Sequence, residues 1–207
     1  MRLHSLLFPL CACALTAAAR AQSAVVDIRL REGTNIAAAV APDGRTIAFD
    51  LLGQIWVIPR AGGAATALTA PLDESRQPVW SPDGARIAFQ SYRDGTWHIW
   101  SIARDGSDPR QHTFGEFDER EPDYTANGRA IVFSSDRSGN YDLWSVDLAS
   151  GALTRLTDDP ADDAMPAVNR ASGAIAFTST RPSGRGVWVR QPEGLLAEDE
   201  SAVTLVR

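Results

Sequence analysis

The sequence contains no lysine and only two cysteines. Its 20 basic residues are therefore all arginine, and they are outnumbered by 26 acidic residues, which gives a formal net charge of −6. An acidic chain repels phosphate backbones, so nucleic acid is excluded as a partner. Cys11 and Cys13 both lie near the N-terminus. The rest of the chain therefore has no thiol for a disulfide or for a cysteine metal site.

Sequence motifs of catalysis are also missing. There is no G-x-S-x-G nucleophile elbow, no H-x-H and no H-E-x-x-H. His98 and His112 are 14 residues apart in a β-rich region, which does not suggest a metal pair. His98 alternates with a buried Ile-Trp pair and is interpreted as a hydrogen-bonded structural residue. We assign no catalytic, cofactor-binding or metal-ligating residue and expect no cofactor.

Residues 1–21 have the pattern of a secretory signal peptide. Arg2 supplies positive charge, a short apolar run interrupted by Pro9 follows, and Ala19-Arg20-Ala21 matches a cleavage site. We expect cleavage near Ala21, a periplasmic or secreted protein, and no membrane span afterwards. Two alternatives are a retained anchor and a lipoprotein acylated at Cys13.

The remainder is built from a repeat of about 44 residues. Four units align, and each carries one phenylalanine and one tryptophan in step with a turn glycine. A period of 40–45 residues made of short β segments is typical of propeller blades. Since both faces of a blade pack on neighbouring blades, we expect the following series to form the core between blades: Phe49, Trp56, Phe89, Trp100, Phe133, Trp144, Phe177 and Trp188.

Each unit divides into four strands, and helical periodicity is absent from the mature chain. Turns such as "SPDG" join the first two strands, because proline fixes φ, aspartate bonds the nearby backbone and glycine accepts positive φ. The prediction is an all-β protein, a propeller of four-stranded antiparallel blades within residues 22–207. The approximate blades are 33–72, 73–117, 118–160 and 161–200.

The motifs "SPDGARIAF", "SSDRSGNYDLW" and "LTRLT" resemble the TolB-type propeller repeat over roughly residues 33–190. Similar WD-like blades occur in TolB, in prolyl-oligopeptidase-type peptidases, and in front of periplasmic amidohydrolase-like barrels, the group that this chain resembles most. TolB proper has an α/β domain before its propeller, which is not seen here. The family usually closes with about six blades, so four visible blades indicate an incomplete or open propeller. A genuine short propeller is the alternative.

Acidic residues recur just before the innermost strand of the second, third and fourth units. If they gather around the propeller axis, they form a ring that could hold a cation or receive an Arg/Lys-rich partner segment. The alternative is that they cap turns. The candidate ring is Asp73, Glu74, Asp118, Glu119, Asp162 and Asp163.

Two other features stand outside this ring. Arg93, Arg137 and Arg181 follow the second strand of their units, and a structural ion pair within the blade or with the next blade is favoured over an anion site. Trp97 breaks the repeat at a hairpin loop, where it could contact a partner.

Two functions remain open. The first is a periplasmic, non-catalytic propeller that binds an envelope protein or peptide, as in the Tol-Pal system. The second is the N-terminal propeller of a larger metal-dependent amidohydrolase-like enzyme, inert without its catalytic domain or missing blades. An intrinsic propeller hydrolase or lyase has no supporting motif.

Overall fold

A computed structural model describes residues 35–182, 186–191 and 200–202 of the chain. The predicted signal peptide lies outside these residues. Every regular element within them is a β-strand. None of the described segments is a helix of the length and hydrophobicity needed to cross a membrane.

Sixteen strands form four separate four-stranded antiparallel sheets, each built from four consecutive strands in meander order. This confirms the predicted all-β, propeller-like architecture. Blade 1 contains β1 (Ala38–Val40), β2 (Thr46–Leu51), β3 (Gln54–Pro59) and β4 (Thr66–Ala67). Blade 2 contains β5 (Ser75–Trp80), β6 (Arg86–Ser91), β7 (His98–Ala103) and β8 (Arg110–Gln111). Blade 3 contains β9 (Glu119–Tyr124), β10 (Ala130–Ser135), β11 (Asp142–Asp147) and β12 (Leu153–Arg155). Blade 4 contains β13 (Asp163–Val168), β14 (Ile175–Ser179), β15 (Gly186–Arg190) and β16 (Glu200–Ala202).

The turn between the first two strands of a blade has the geometry that its sequence predicts. In blade 2, Asp83 Oδ1 accepts the N–H of Ala85 at 3.0 Å, and Gly84 has a φ of 69°. In blade 3, where the motif has become "TANG", Asn127 Oδ1 accepts the N–H of Arg129 at the same 3.0 Å. An amide oxygen therefore replaces the carboxylate without altering the turn.

A buried threonine secures the outer strand of three blades. In each case its hydroxyl accepts the N–H of the second residue of the third strand, at 2.9–3.0 Å. A backbone donor that would otherwise lack a ladder partner is thereby satisfied. This explains why a threonine recurs after the outer strand of the repeat; the residues are Thr69, Thr113 and Thr157.

Three clusters of buried apolar side chains join the four blades, one at each junction. In every cluster, the second-strand phenylalanine of one blade packs on small and branched residues of the preceding blade. Full burial of one such ring contributes about 1.5–3 kcal/mol. The phenylalanines Phe89, Phe133 and Phe177 are almost completely buried, and the tryptophans Trp100, Trp144 and Trp188 are half-buried beside them.

The backbone also crosses each junction. The innermost strands of blades 2, 3 and 4 contain one non-glycine residue with φ between 54° and 58°, located at a β-bulge. Its N–H is donated to a side chain on the second strand of the preceding blade. The pairs are Gln77 to Asp50 at 2.7 Å, Glu121 to Gln90 at 2.7 Å, and Met165 to Ser134 at 3.2 Å. The Met165 N–H is shared with Glu121 Oε2, on the innermost strand of blade 3, at 2.7 Å.

The two outermost faces of this arrangement differ from the three junctions. No described blade precedes Phe49 of blade 1, and this residue is only half-buried. Val187 of blade 4 is 45% exposed, whereas Ile99 at a similar place in blade 2 is fully buried. The described residues of blades 1 and 4 form no mutual junction comparable to the other three. Within the described residues, the four blades therefore form an open series that is not closed into a ring.

Candidate functional site

Strand direction divides the loops of the propeller between two ends. One end carries the β2–β3, β6–β7 and β10–β11 hairpins and the connections between blades; we call it the loop face. The opposite end, the turn face, carries the Pro-Asp-Gly turns at residues 42–44 and 82–84. Every residue of the predicted acidic ring precedes or begins an innermost strand and so lies at the loop face.

At the loop face, the more accessible acids of the ring are already bound to arginine side chains or to backbone N–H groups. Asp73 pairs with Arg93 at 2.8 Å, Glu74 with Arg76 at 3.4 Å, and Asp118 with Arg120 at 2.5 Å. Asp162 Oδ1 accepts the N–H of Tyr141 at 3.1 Å, across the junction between blades 3 and 4. Most of the predicted negative charge is therefore neutralised by arginine or bound to backbone.

Two further acids of the predicted ring are fully buried within their blades. Glu119 contacts Arg137, and Asp163 pairs with Arg181 at 2.6 Å. Burial raises the pKa of Asp163, while hydrogen bonds and the nearby arginine act in the opposite direction. In the described part of the chain, no three His, Cys, Asp or Glu side chains are grouped to hold a metal ion.

The buried acid of blades 3 and 4 has no acidic counterpart at the same position of blade 2, although the sequence pattern suggested one. Glu119 and Asp163 are 44 residues apart, and the equivalent position in blade 2 is Ser75. Asp73 lies two residues earlier, and it substitutes for the missing carboxylate by binding Arg93 from the connection. Glu74, Asp118 and Asp162 therefore occupy equivalent positions, whereas Asp73 does not correspond to Glu119 and Asp163.

The arginine series pairs with carboxylates of the same blade, which was one of the two structural options. Each guanidinium also lies over the tryptophan of its own blade, with Cζ-to-centroid distances of 4.2, 5.1 and 4.6 Å. Stacking on an aromatic face and pairing with an acid together fix the hairpin. The stacked pairs are Arg93 with Trp100, Arg137 with Trp144, and Arg181 with Trp188.

His98 is buried at the start of β7 and is hydrogen-bonded through both ring nitrogens. Nδ1 lies 2.7 Å from Glu119 Oε2, and Nε2 lies 2.9 Å from Thr96 Oγ1. A hydroxyl, an imidazole and a carboxylate thus follow one another, as in a nucleophile relay. However, Arg137 also binds Glu119, and the N–H of Trp97 is bonded to Asp118 at 3.1 Å. This N–H, next to Thr96, is therefore not free to stabilise an oxyanion.

A cleft of about 650 Å³ opens at the loop face between blades 2 and 3. Its floor includes Tyr92 and Trp97, whose ring centroids are 5.4 Å apart at an interplanar angle of 51°. The guanidinium carbons of Arg76 and Arg120 lie 5.4 and 5.7 Å from the Trp97 ring. Trp97, the aromatic residue that interrupts the repeat, therefore lines a concave surface rich in polar groups.

Exposed apolar side chains also occur on the loops of this face. Tyr92 is 44% exposed and Leu72, on the connection between blades 1 and 2, is 91% exposed. Folding gains little from such residues, so their exposure indicates a contact role. The exposed apolar side chains of these loops include Leu52, Leu72, Tyr92, Phe114 and Phe117. Sequence reasoning identified only Trp97 here; the others interrupt polar loops and carry no periodic signal.

Comparison with known proteins agrees with this architecture. Residues 15–138, more than half of the chain, match the family PD40, the TolB beta propeller domain. The chain belongs to the TolB beta-propeller family. This confirms the resemblance that the Pro-Asp-Gly repeats indicate. No curated protein matches the sequence.

Solved structures that this TolB-type propeller resembles include two TolB proteins. A putative TolB from Agrobacterium tumefaciens superposes with a TM-score of 0.73 at 22% identity, over 82% of this chain and 61% of that protein. TolB from Acinetobacter baumannii gives a TM-score of 0.64 at 24% identity, over 75% of this chain and 41% of that protein. The chain therefore spans less than two thirds of the length of either.

A peptidase shares the same fold. The puromycin-hydrolyzing peptidase of Mycobacterium tuberculosis gives a TM-score of 0.62 at 14% identity, over 78% of this chain and 28% of that enzyme. At such identities the likeness concerns the fold alone, and it shows that blades of this type occur both in TolB proteins and within a hydrolase.

Proposed function

We propose that this TolB-type propeller is a non-catalytic module that binds a protein or peptide of the cell envelope through its loop face. One observation carries the proposal: exposed apolar side chains and a mixed-charge cleft lie together on that face. Protein interfaces commonly combine an aromatic and apolar centre with arginine and a polar rim. The predicted signal peptide supports a periplasmic location, and a role like that of Tol-Pal follows as a candidate.

The proposal is tested by affinity capture from an envelope extract of the source organism. The full chain is compared with a variant in which Leu72 and Phe117 are changed to serine. A matched control carries Val40→Ser and Leu153→Ser, two exposed apolar residues outside the loop face. We expect at least one protein to be captured by the wild type and the control but not by the loop-face variant. Equal capture by all three chains would contradict the proposal.

The second candidate is the propeller portion of a larger amidohydrolase-like hydrolase. The fold similarity to a peptidase, of which the matched region is 28%, supports this class of arrangement. The test is to sequence the DNA beyond the codon for Arg207. An in-frame barrel domain with an H-x-H motif would establish this candidate, and an unrelated gene would remove it.

A further inference from the structure

We propose that the cleft between blades 2 and 3 binds an arginine or lysine side chain of the partner segment. This inference rests on the proposed function, because it names the chemistry that the loop face recognises. The juxtaposition that carries it is an aromatic pair, the exposed Tyr92 and the half-buried Trp97, beside two carboxylates without an ion pair, Glu116 and Asp136.

The aromatic pair supplies one half of the site. The Tyr92 ring is 44% exposed and forms part of the cleft surface. A cationic side chain can lie with its methylene groups along such a ring while its charged head remains near solvent. Neighbouring Arg76 and Arg120 already lie 5.4 and 5.7 Å from the Trp97 ring, so this cleft tolerates cations close to its aromatic surface.

The carboxylates supply the other half. Of the four acids that line the cleft, Glu74 and Asp118 are paired with Arg76 and Arg120 two residues along the same chain segment. Among the described residues, Glu116 has neither an ion pair nor a hydrogen bond. Asp136 uses only Oδ1, which accepts the N–H of Asp118 at 2.9 Å. These four acids and two arginines leave an excess of negative charge that a basic ligand would neutralise.

An acidic ligand is the opposite possibility, because two guanidinium groups also line the cleft. Its carboxylate would have to compete with Glu74 for Arg76 and with Asp118 for Arg120. Asp118 is held in place by a further bond from the Trp97 N–H. Displacing it would leave a carboxylate without its cation in a partly buried position, which is unfavourable. The basic ligand requires no such exchange.

The size and position of the cleft also suit a peptide. A volume of about 650 Å³ falls within the usual range of ligand sites and exceeds the needs of one side chain. Leu72 and Phe117, which lie within two residues of Glu74 and Glu116 in the chain, can contact the neighbouring residues of the peptide.

The test uses the full chain and three fluorescein-labelled peptides in a glycine-serine background. The first contains three arginines, the second has citrulline in their place, and the third has glutamate. Binding is measured by fluorescence anisotropy. We expect the arginine peptide to bind at least tenfold more tightly than the neutral citrulline peptide, and its affinity to fall with rising salt.

Variants separate the cleft from general electrostatics. Glu116→Gln with Asp136→Asn should weaken binding of the arginine peptide at least fivefold, and Trp97→Ala should weaken it as well. The control, Asp43→Asn with Asp83→Asn, removes the same charge at the turn face, where Asn127 shows that asparagine maintains the turn. Circular dichroism confirms that each variant is folded.

Three results would overturn the inference: equal weakening by the control, tighter binding of the glutamate peptide, or no arginine peptide binding. If the envelope capture still depends on Leu72 and Phe117, the proposed function survives while this inference fails. If that capture is independent of the loop face but the peptide result holds, the proposed function fails instead.

Discussion

The three junctions between blades and the two outermost faces are built from equivalent sequence positions with very different environments. Phe133 is completely buried against blade 2, whereas no described blade precedes Phe49, which is half-buried. Gln90 accepts a backbone N–H from the next blade, whereas Thr178 turns back to donate to the Ala164 carbonyl at 3.0 Å. A residue of the repeat therefore contributes more to stability where a neighbouring blade packs against it.

The largest expected contrast concerns the phenylalanine series. Phe133→Ala creates a cavity at a closed junction and should lower the free energy of unfolding by about 3–5 kcal/mol. Phe49→Ala should cost less than half as much, because its ring already contacts solvent. Urea denaturation of both variants measures the difference, with Phe133→Leu as a milder replacement should the alanine variant fail to fold. Equal losses would mean that Phe49 is covered in solution.

The next contrast concerns hydrogen bonds across a junction. Gln90→Leu maintains side-chain volume but leaves the Glu121 N–H without its acceptor, and should cost about 1–3 kcal/mol. Thr178→Val, at the equivalent position of blade 4, should change the free energy of unfolding by less than about 0.5 kcal/mol. Thermal unfolding of the two variants provides the comparison. A large loss for Thr178→Val would argue that another blade covers that face.

A pH dependence should arise from the junction of blades 2 and 3. His112 lines a cavity of about 370 Å³ there, and burial lowers its pKa to about 4, aided by the charges of Arg86 and Arg110. The unfolded histidine binds a proton near its ordinary pKa of 6.5, but the folded one does not until about 4. Stability should therefore decrease as pH falls through this window. His112→Asn should reduce the slope; an unchanged slope between pH 7 and 4 would contradict the assignment.

The smallest contrast compares two turn glycines with nearly the same backbone. Gly44 and Gly128 have φ values of 68° and 70°, so alanine strains both by about 1–2 kcal/mol. Only at Gly128 would the new Cβ also lie 3.3 Å from a ring carbon of Pro82 in the preceding blade. Gly128→Ala should therefore cost about 1 kcal/mol more than Gly44→Ala. Identical losses in chemical denaturation would show that Pro82 moves freely.

The sequence predicts the blades because their signals are local or periodic. These signals are the Pro-Asp-Gly turns, the alternating strands and the 44-residue spacing of the tryptophans. Each of them describes the repeat unit itself and not its contacts with other units. The acidic ring was less predictable, since the order of the acidic pairs in the sequence suggested that Glu74 and Glu119 were equivalent, while backbone pairing aligns Glu119 with Ser75. Which arginine neutralises which acid depends on contacts that periodicity does not contain.

The left-handed residues of the innermost strands were also hidden from sequence. Gln77, Glu121 and Met165 share this conformation without being glycine or asparagine. Their conformation follows from the acceptor on the neighbouring blade and not from their own side chains. The cleft lined by Tyr92 and Trp97 was likewise not predictable from the sequence, because it forms only where two blades meet.

These bulges have a consequence for how such chains change length. Each one presents its backbone donor to a side chain of the preceding blade, so blades 2 and 3 each carry both the donor and the acceptor of such a junction. Tandem duplication of the DNA that encodes such a 44-residue unit would then create a new junction whose hydrogen-bond donors and acceptors already match. Propellers with different numbers of blades could thus arise by duplication, with little need for later substitutions at the junctions.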